Sequence, residues 1–236
     1  REIRAEEESP LLEAILREGI EVPTLCHHEA VKPYGACRLC LVEVNQEGWK
    51  PDWRKLTTSC NFPVLPGLKV FTDTEKVRRR RKLVMELHLA RAPRSPEILG
   101  MAAEMGIPDT RFRKQEEDCI LCGLCARVCE EIVGVHAITF HGRGGYKNMS
   151  TPFHEGSREC IACGACAFVC PVGCIGLHQA GGTRTIDRWG RTLDMARSKH
   201  SGIAFAPAYQ LEHFRKRAGL PEGLYDKAPG EIPRKK

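Results

Sequence analysis

Two stretches decide the fold. Cys119-Ile120-Leu121-Cys122-Gly123-Leu124-Cys125-Ala126-Arg127-Val128-Cys129 is the first, and Cys160-Ile161-Ala162-Cys163-Gly164-Ala165-Cys166-Ala167-Phe168-Val169-Cys170 repeats it. Each reads C-x2-C-x2-C-x3-C, and Pro171 follows the second. A tight loop of this kind aims three thiolates at one iron–sulfur cube. The fourth thiolate enters the next helix and reaches the other cube. A disulfide framework has no reason to produce two copies of such a run. Structural zinc sites use two C-x2-4-C pairs, not four cysteines in one run. The expected sets are therefore crossed: Cys119, Cys122, Cys125 and Cys170 for one [4Fe–4S] cluster, and Cys160, Cys163, Cys166 and Cys129 for the other.

A third set lies upstream. Cys26, Cys37, Cys40 and Cys60 read C-x10-C-x2-C-x19-C. The plant-type [2Fe–2S] pattern is C-x4-C-x2-C with a distant fourth cysteine, and the logic here is similar with a longer first gap. Tyr34-Gly35-Ala36-Cys37-Arg38-Leu39-Cys40 places small residues where backbone must wrap an inorganic core. Zinc is the alternative for this set. Twelve of the thirteen cysteines are thereby used. Cys174 is left over and reads as a free thiol acting as a small hydrophobe. So many thiolates point to a reducing compartment, hence the cytoplasm; the first residue is Arg1, so the true N-terminus stays open.

Working outward, the chain has 236 residues, 42% apolar and 28% charged. That suits one or two globular domains and excludes global disorder. No apolar run is long enough for a membrane span. The formal net charge is +6 with neutral thiols. Four thiolates around an oxidised core leave about −2 per site, so three sites offset the basicity. The charge is thus weak support for nucleic acid, and none is expected as a partner. The run Arg78-Arg79-Arg80-Arg81-Lys82 reads as a solvated helix face or a docking patch.

Four segments are expected. Residues 1–72 read as a small β-rich domain. In it Arg1 to Ala5 end a strand hairpin, and Ser9 caps a helix with Pro10 first and Leu11, Leu12, Ile15 and Leu16 as its buried stripe. Leu41 to Val44 and Leu68 to Phe71 are strands, with a polar excursion over 45–54. Residues 73–106 are a helical linker. Thr72 and Glu75 fit a capping box, Val77, Val84 and Leu87 keep helical spacing, and Ser95-Pro96 opens a second helix. His88 reads as a satisfied partner, not a ligand. Residues 107–180 hold the two-cluster module, with strands at Ala137–Phe140 and Cys174–His178. His141 to Gly145 reads as a hairpin turn, lacking any phosphate-loop pattern. Residues 181–236 carry no cysteine and four prolines, Pro207, Pro221, Pro229 and Pro233. Thr183–Asp187 and Arg191–Met195 can pair around Trp189-Gly190, and the rest reads as an extended, partner-docking tail.

This order resembles the N-terminal part of the large iron–sulfur subunit of respiratory complex I, and still more the small diaphorase subunit of NAD-linked hydrogenases. NADH-linked formate dehydrogenases and [FeFe] hydrogenases carry similar segments. The resemblance spans residues 1–180. Pro23-Thr24-Leu25-Cys26, Gly35-Ala36-Cys37-Arg38-Leu39-Cys40 and the two ferredoxin runs carry it. It implies an α+β chain: a [2Fe–2S] ferredoxin-like β-grasp domain, a helical linker, a bacterial two-[4Fe–4S] ferredoxin module and an extended C-terminal tail. It also implies that Cys26, Cys37, Cys40 and Cys60 hold the [2Fe–2S] cluster. One departure stands out. The family's linker carries a His and three Cys for an extra [4Fe–4S] cluster, whereas residues 89–118 here contain no cysteine. That cluster cannot form in this linker, so the usual wiring order is altered. Glu130, not Pro, follows Cys129.

The expected function is single-electron transfer within a multisubunit oxidoreductase. No flavin or dinucleotide fingerprint and no acid–base pair is visible, so the chain itself is expected to be non-catalytic. A flavin/NAD(P)H-binding partner would supply the hydride chemistry, and a hydrogenase, formate dehydrogenase or ferredoxin-linked partner would take or give the electrons. The alternative is a free-standing soluble multi-cluster carrier.

Overall fold

A computed structural model describes residues 2–232. Arg1 and Pro233, read above as part of the hairpin and of the tail, lie outside the described residues. The chain divides into two compact units, Arg1–Leu124 and Cys125–Lys236.

The first unit is built on a three-stranded antiparallel sheet in the order β2-β1-β3, formed by β1 (Leu41–Asn45), β2 (Lys55–Thr58) and β3 (Lys69–Phe71). Every residue of the central strand β1 is buried. Val42 and Val44 pack with Leu11, Leu12 and Ile15 of α1 (Leu11–Arg17), together with Val22, Cys40 and Cys60. Each fully buried aliphatic side chain there contributes about 1.5–3 kcal/mol. On the opposite face Glu43 meets the start of α2 (Glu75–Arg91), accepting from Thr74 Oγ1 at 2.6 Å and Lys76 Nζ at 2.9 Å.

Several sequence expectations shift here, each for a local reason. No strand forms among residues 2–5. Residues 8–11 instead pair with 62–64 through Glu8 N–Val64 O, Val64 N–Ser9 O and Leu11 N–Phe62 O bonds. That pairing holds Pro10 extended at φ −59°, ψ 124°, so Pro10 and not Ser9 is the N-cap of α1, and Ser9 Oγ turns back to Glu6 O. Leu16 is exposed, and Ala14 takes its place in the stripe. Thr74, not Thr72, caps α2, its hydroxyl accepting from Val77 N. The buried face of α2 comprises Val77, Arg81, Met85, Leu89 and Ala90, while Leu87 is exposed. Of the basic run, Arg81 is buried, unlike the solvated face expected of it. Ser95 does cap α3 (Pro96–Glu104), accepting from Ile98 N. No helix among the described residues is long and apolar enough to cross a membrane.

The second unit begins within α4 (Leu124–Arg127), which runs into a π-helical turn, Val128–Val133. A hairpin follows, β4 (Thr139–His141) with β5 (Asn148–Ser150); the turn expected over His141 to Gly145 starts one residue later and runs on to Lys147, since His141 closes β4. The strand starts two positions later than Ala137 because Ala137 N donates to Cys129 Sγ at 3.3 Å. After α5 (Ala165–Phe168), a four-stranded antiparallel sheet runs in the order β6 (Leu177–Ala180), β7 (Thr183–Ile186), β8 (Arg191–Arg197), β9 (Ala204–Pro207). Helix α6 (Ala208–Arg217) packs on β8 and β9. Residues 181–217 therefore carry more regular structure than an extended tail. Beyond them, up to residue 232, only short 3-10 turns occur. The pairing expected of Thr183–Asp187 with Arg191–Met195 forms as β7 and β8, whereas β9 and α6 stand where an extended tail was expected. The hairpin is extended on one side by β6, from the preceding module, and on the other by β9.

Candidate metal centres

The two ferredoxin runs fold with the same backbone. Leu121 and Ala162, the residues before the second cysteine of each run, sit in the left-handed region at φ +57° and +50°. Gly123 and Gly164, just after it, sit there at φ +76° and +84°. A left-handed non-glycine residue costs about 1–2 kcal/mol, so this curl is held by what it surrounds. It brings main-chain N–H groups toward sulfur, as in the Leu121 N–Cys119 Sγ bond at 3.4 Å.

In the second unit Cys129 comes from the first run, and Cys160, Cys163 and Cys166 from the second. All four line one cavity, whose other walls are Val133, Val135, Ile138, Ile161 and Ile186 with the backbone of the loop. Burial pushes the Cys129 thiol up to about 11 and the Cys166 thiol up to about 12, and raises those of Cys160 and Cys163. Such thiols ionise only if a cation or metal core replaces the proton, which couples metal binding to proton release. Three groups from later in the chain hold this loop. Trp189 Nε1 donates to Cys166 Sγ at 3.3 Å, Arg191 Nε to Cys160 O at 2.9 Å and Arg184 Nη1 to Ala162 O at 3.3 Å. Trp189 is itself 3% exposed.

In the first unit Cys26, Cys37, Cys40 and Cys60 are all buried. Their sulfurs interact in two pairs. A bond between Cys26 and Cys37 raises the Cys37 thiol, and one between Cys60 and Cys40 lowers Cys40 while raising Cys60. Main-chain donors reinforce the first pair: Cys37 N to Cys26 Sγ at 3.3 Å and Leu25 N to Cys37 Sγ at 3.4 Å. Gly35 has φ +72°, and a Cβ there would lie 2.8 Å from Asn61 Nδ2. Charge on Cys26 and Cys37 also acts on Cys60, so the four sulfurs gather at one site.

His88 Nε2 lies 2.8 Å from Cys37 O. A carbonyl only accepts, so this ring nitrogen carries the proton and donates. Burial depresses the His88 pKa below its usual range. The histidine is thus a satisfied partner of the cysteine loop. From the same helix Arg81 Nη2 donates to Leu41 O at 2.7 Å, and Arg91 Nε to Cys119 O at 3.0 Å. Cys119 and Cys122 are buried in the first unit; Cys125 is buried and Cys170 half-buried in the second. Cys174, half-buried, places its sulfur 3.6 Å from Cys170 Sγ, and that contact lowers the Cys170 thiol. Trp189, Arg184 and Arg191 carried no signal in the sequence as site residues, since they lie outside every cysteine run.

Residues 1–75 match the family model of a 2Fe-2S iron-sulfur cluster binding domain, and residues 115–189 that of a 4Fe-4S dicluster domain. The alpha subunit of NADPH-Fe(3+) oxidoreductase from Geobacter sulfurreducens is 34% identical over 169 aligned positions, covering 61% of this chain and 19% of the relative. The 75 kDa subunit of NADH-ubiquinone oxidoreductase from Reclinomonas americana is 30% identical over 166, covering 60% and 23%. The chain thus spans only about a fifth to a quarter of the length of these relatives. A chain of a crystallised NAD+-reducing [NiFe]-hydrogenase, in the H2-reduced state, superposes with a TM-score of 0.61 at 26% identity, covering 73% of this chain and 81% of that one.

Proposed function

Because the chain joins a 2Fe–2S cluster-binding domain to a 4Fe–4S dicluster domain and is related to subunits of pyridine-nucleotide-linked oxidoreductases, we propose that it relays single electrons within such a complex. Its partners on this reading are a flavin/NAD(P)H-binding subunit and a low-potential catalytic or ferredoxin-linked subunit. The observation that carries the proposal is the convergence of Cys129 with Cys160, Cys163 and Cys166 on one apolar-walled cavity.

The ligand sets follow. Cys26 with Cys37, and Cys40 with Cys60, supply two thiolate pairs for one [2Fe–2S] cluster. Cys160, Cys163, Cys166 and Cys129 supply one [4Fe–4S] cluster, and Cys119, Cys122, Cys125 and Cys170 the other. When bound, these clusters supply one-electron redox chemistry, which two-electron hydride carriers lack. The chain's own residues hold the thiolates, donate N–H groups to their sulfurs and keep water from them. Those are the levers by which a protein sets a cluster potential.

Iron and acid-labile sulfide analysis of anaerobically purified chain tests the assignment. The expected content is about ten irons per chain, the sum of 2, 4 and 4. Iron near four, or stoichiometric zinc, refutes it.

A further inference from the structure

Four arginines end on main-chain carbonyls of the cysteine loops. Arg81 reaches Leu41 O, beside Cys40; Arg91 reaches Cys119 O; Arg184 reaches Ala162 O, beside Cys163; and Arg191 reaches Cys160 O. They arise from three separate elements, α2, β7 and β8, none of which contains a cysteine. Arg81 is buried; two charges act on it through space, the Asp73 carboxylate and Cys40, while on Arg184 it is Cys163 that acts. The Nε atoms of both are enclosed without a partner. Enclosing a guanidinium is costly, and proteins retain one where compensating negative charge lies near. The cysteine loops are where that negative charge gathers. Four thiolates about an oxidised core leave about −2 per site, and three sites match the formal +6 of the chain.

We propose that these arginines are the fixed counter-charges of the clusters, each raising the potential of the cluster whose loop it binds. The inference rests on the reading that the loops hold iron–sulfur clusters. Reduction adds one electron, supplied in the test by dithionite. No bond is made or broken, and the site goes from about −2 to −3. A guanidinium at fixed range stabilises the added charge. In a medium of effective dielectric about 20, one unit charge near the site alters the reduction equilibrium by on the order of tenfold. The guanidinium acts through space and its carbonyl bond keeps it in place, so these are positioning and tuning residues.

The test is EPR-monitored potentiometric titration of the full, cluster-loaded chain. Arg184→Gln keeps an N–H for the Ala162 carbonyl and removes the charge, whereas Arg184→Lys keeps the charge. Arg184→Gln is expected to make reduction of one [4Fe–4S] centre about tenfold less favourable, a fall of about 59 mV for one electron. The other two centres should hold their potentials, and Arg184→Lys should restore most of the loss. Arg81→Gln should act in the same way on the [2Fe–2S] centre alone. Should the buried Arg81 variant lose its centre, Arg184→Gln and Arg191→Gln, at half-buried sites, decide the matter. Unchanged potentials at full iron content overturn the proposal. So do equal shifts in the Gln and Lys variants, which would assign the effect to bond geometry and not to charge. Wild-type chain without three EPR-active centres would instead overturn the cluster reading beneath it.

Discussion

Trp189→Phe isolates a single donor. The indole Nε1 donates to Cys166 Sγ at 3.3 Å from a side chain that is 3% exposed, so water does not readily replace it. A hydrogen bond to a charged acceptor is worth about 2 kcal/mol. Both redox states of the cluster carry thiolate, so only the increment between them moves the potential. One added electron raises the site charge from about −2 to −3, a half, and strengthens the bond by about 1 kcal/mol. At about 1.4 kcal/mol and about 59 mV per tenfold for one electron, the variant's [4Fe–4S] centre should fall by ~40 mV. Phenylalanine keeps most of the apolar volume, so iron content should be unchanged. Potentiometric titration followed by EPR measures the shift, with the [2Fe–2S] centre as internal reference. A shift under about 10 mV, or an upward one, with full iron content would show that the indole N–H does not tune this centre.

Gly35→Ala places a Cβ against the Asn61 amide at a left-handed position, which costs about 1–2 kcal/mol beyond the clash. The variant should lose [2Fe–2S] absorbance and about two irons per chain while keeping both [4Fe–4S] signals. Cys174→Ala should leave all cluster EPR signals in place, since Cys174 stands outside the three proposed ligand sets; loss of a [4Fe–4S] signal would show it to be a ligand. Burial pushes the Glu43 carboxyl up, but the bond from Thr74 and the Lys76 ammonium outweigh it, leaving its pKa below the ordinary 4.5. A carboxylate depressed on folding stabilises above its unfolded pKa, and that contribution is lost as pH falls through the folded value. The melting-temperature gap between wild type and Glu43→Gln, followed by circular dichroism, should therefore shrink below pH about 4.5. A gap that holds constant or widens there would refute the sign.

What the sequence made legible was local. The cysteine runs are spaced by the loop that curls around each site, so eleven consecutive residues carry each pattern whole. The cap at Ser95 was equally visible, because an N-cap and its helix are neighbours. The miss at Ser9 came from a contact that spacing does not carry, the pairing of residues 8–11 with residues 62–64. Thr74 won over Thr72 because Glu43, distant in sequence, accepts its hydroxyl. The same limit hid Trp189, Arg184 and Arg191. Each reaches a cysteine loop from more than twenty positions away, and the chain around each reads as an ordinary hairpin. His88 read as a partner without an address, and its acceptor, the Cys37 carbonyl, is a backbone atom that no sequence pattern names.

The hairpin of β7 and β8 bears on how the protein is made. Cys170 is the last of the twelve candidate ligands, whereas Arg184, Trp189 and Arg191 all follow it. At about 5–20 residues per second, the ribosome delivers every sulfur ligand before any of these three side chains. A nascent chain stopped near residue 180 would hold a full set of cysteines around a second loop with none of its late donors. Iron delivered then would meet a complete but unbraced coordination set. The bracing of this loop thus depends on a hairpin that is made after every ligand and contributes none.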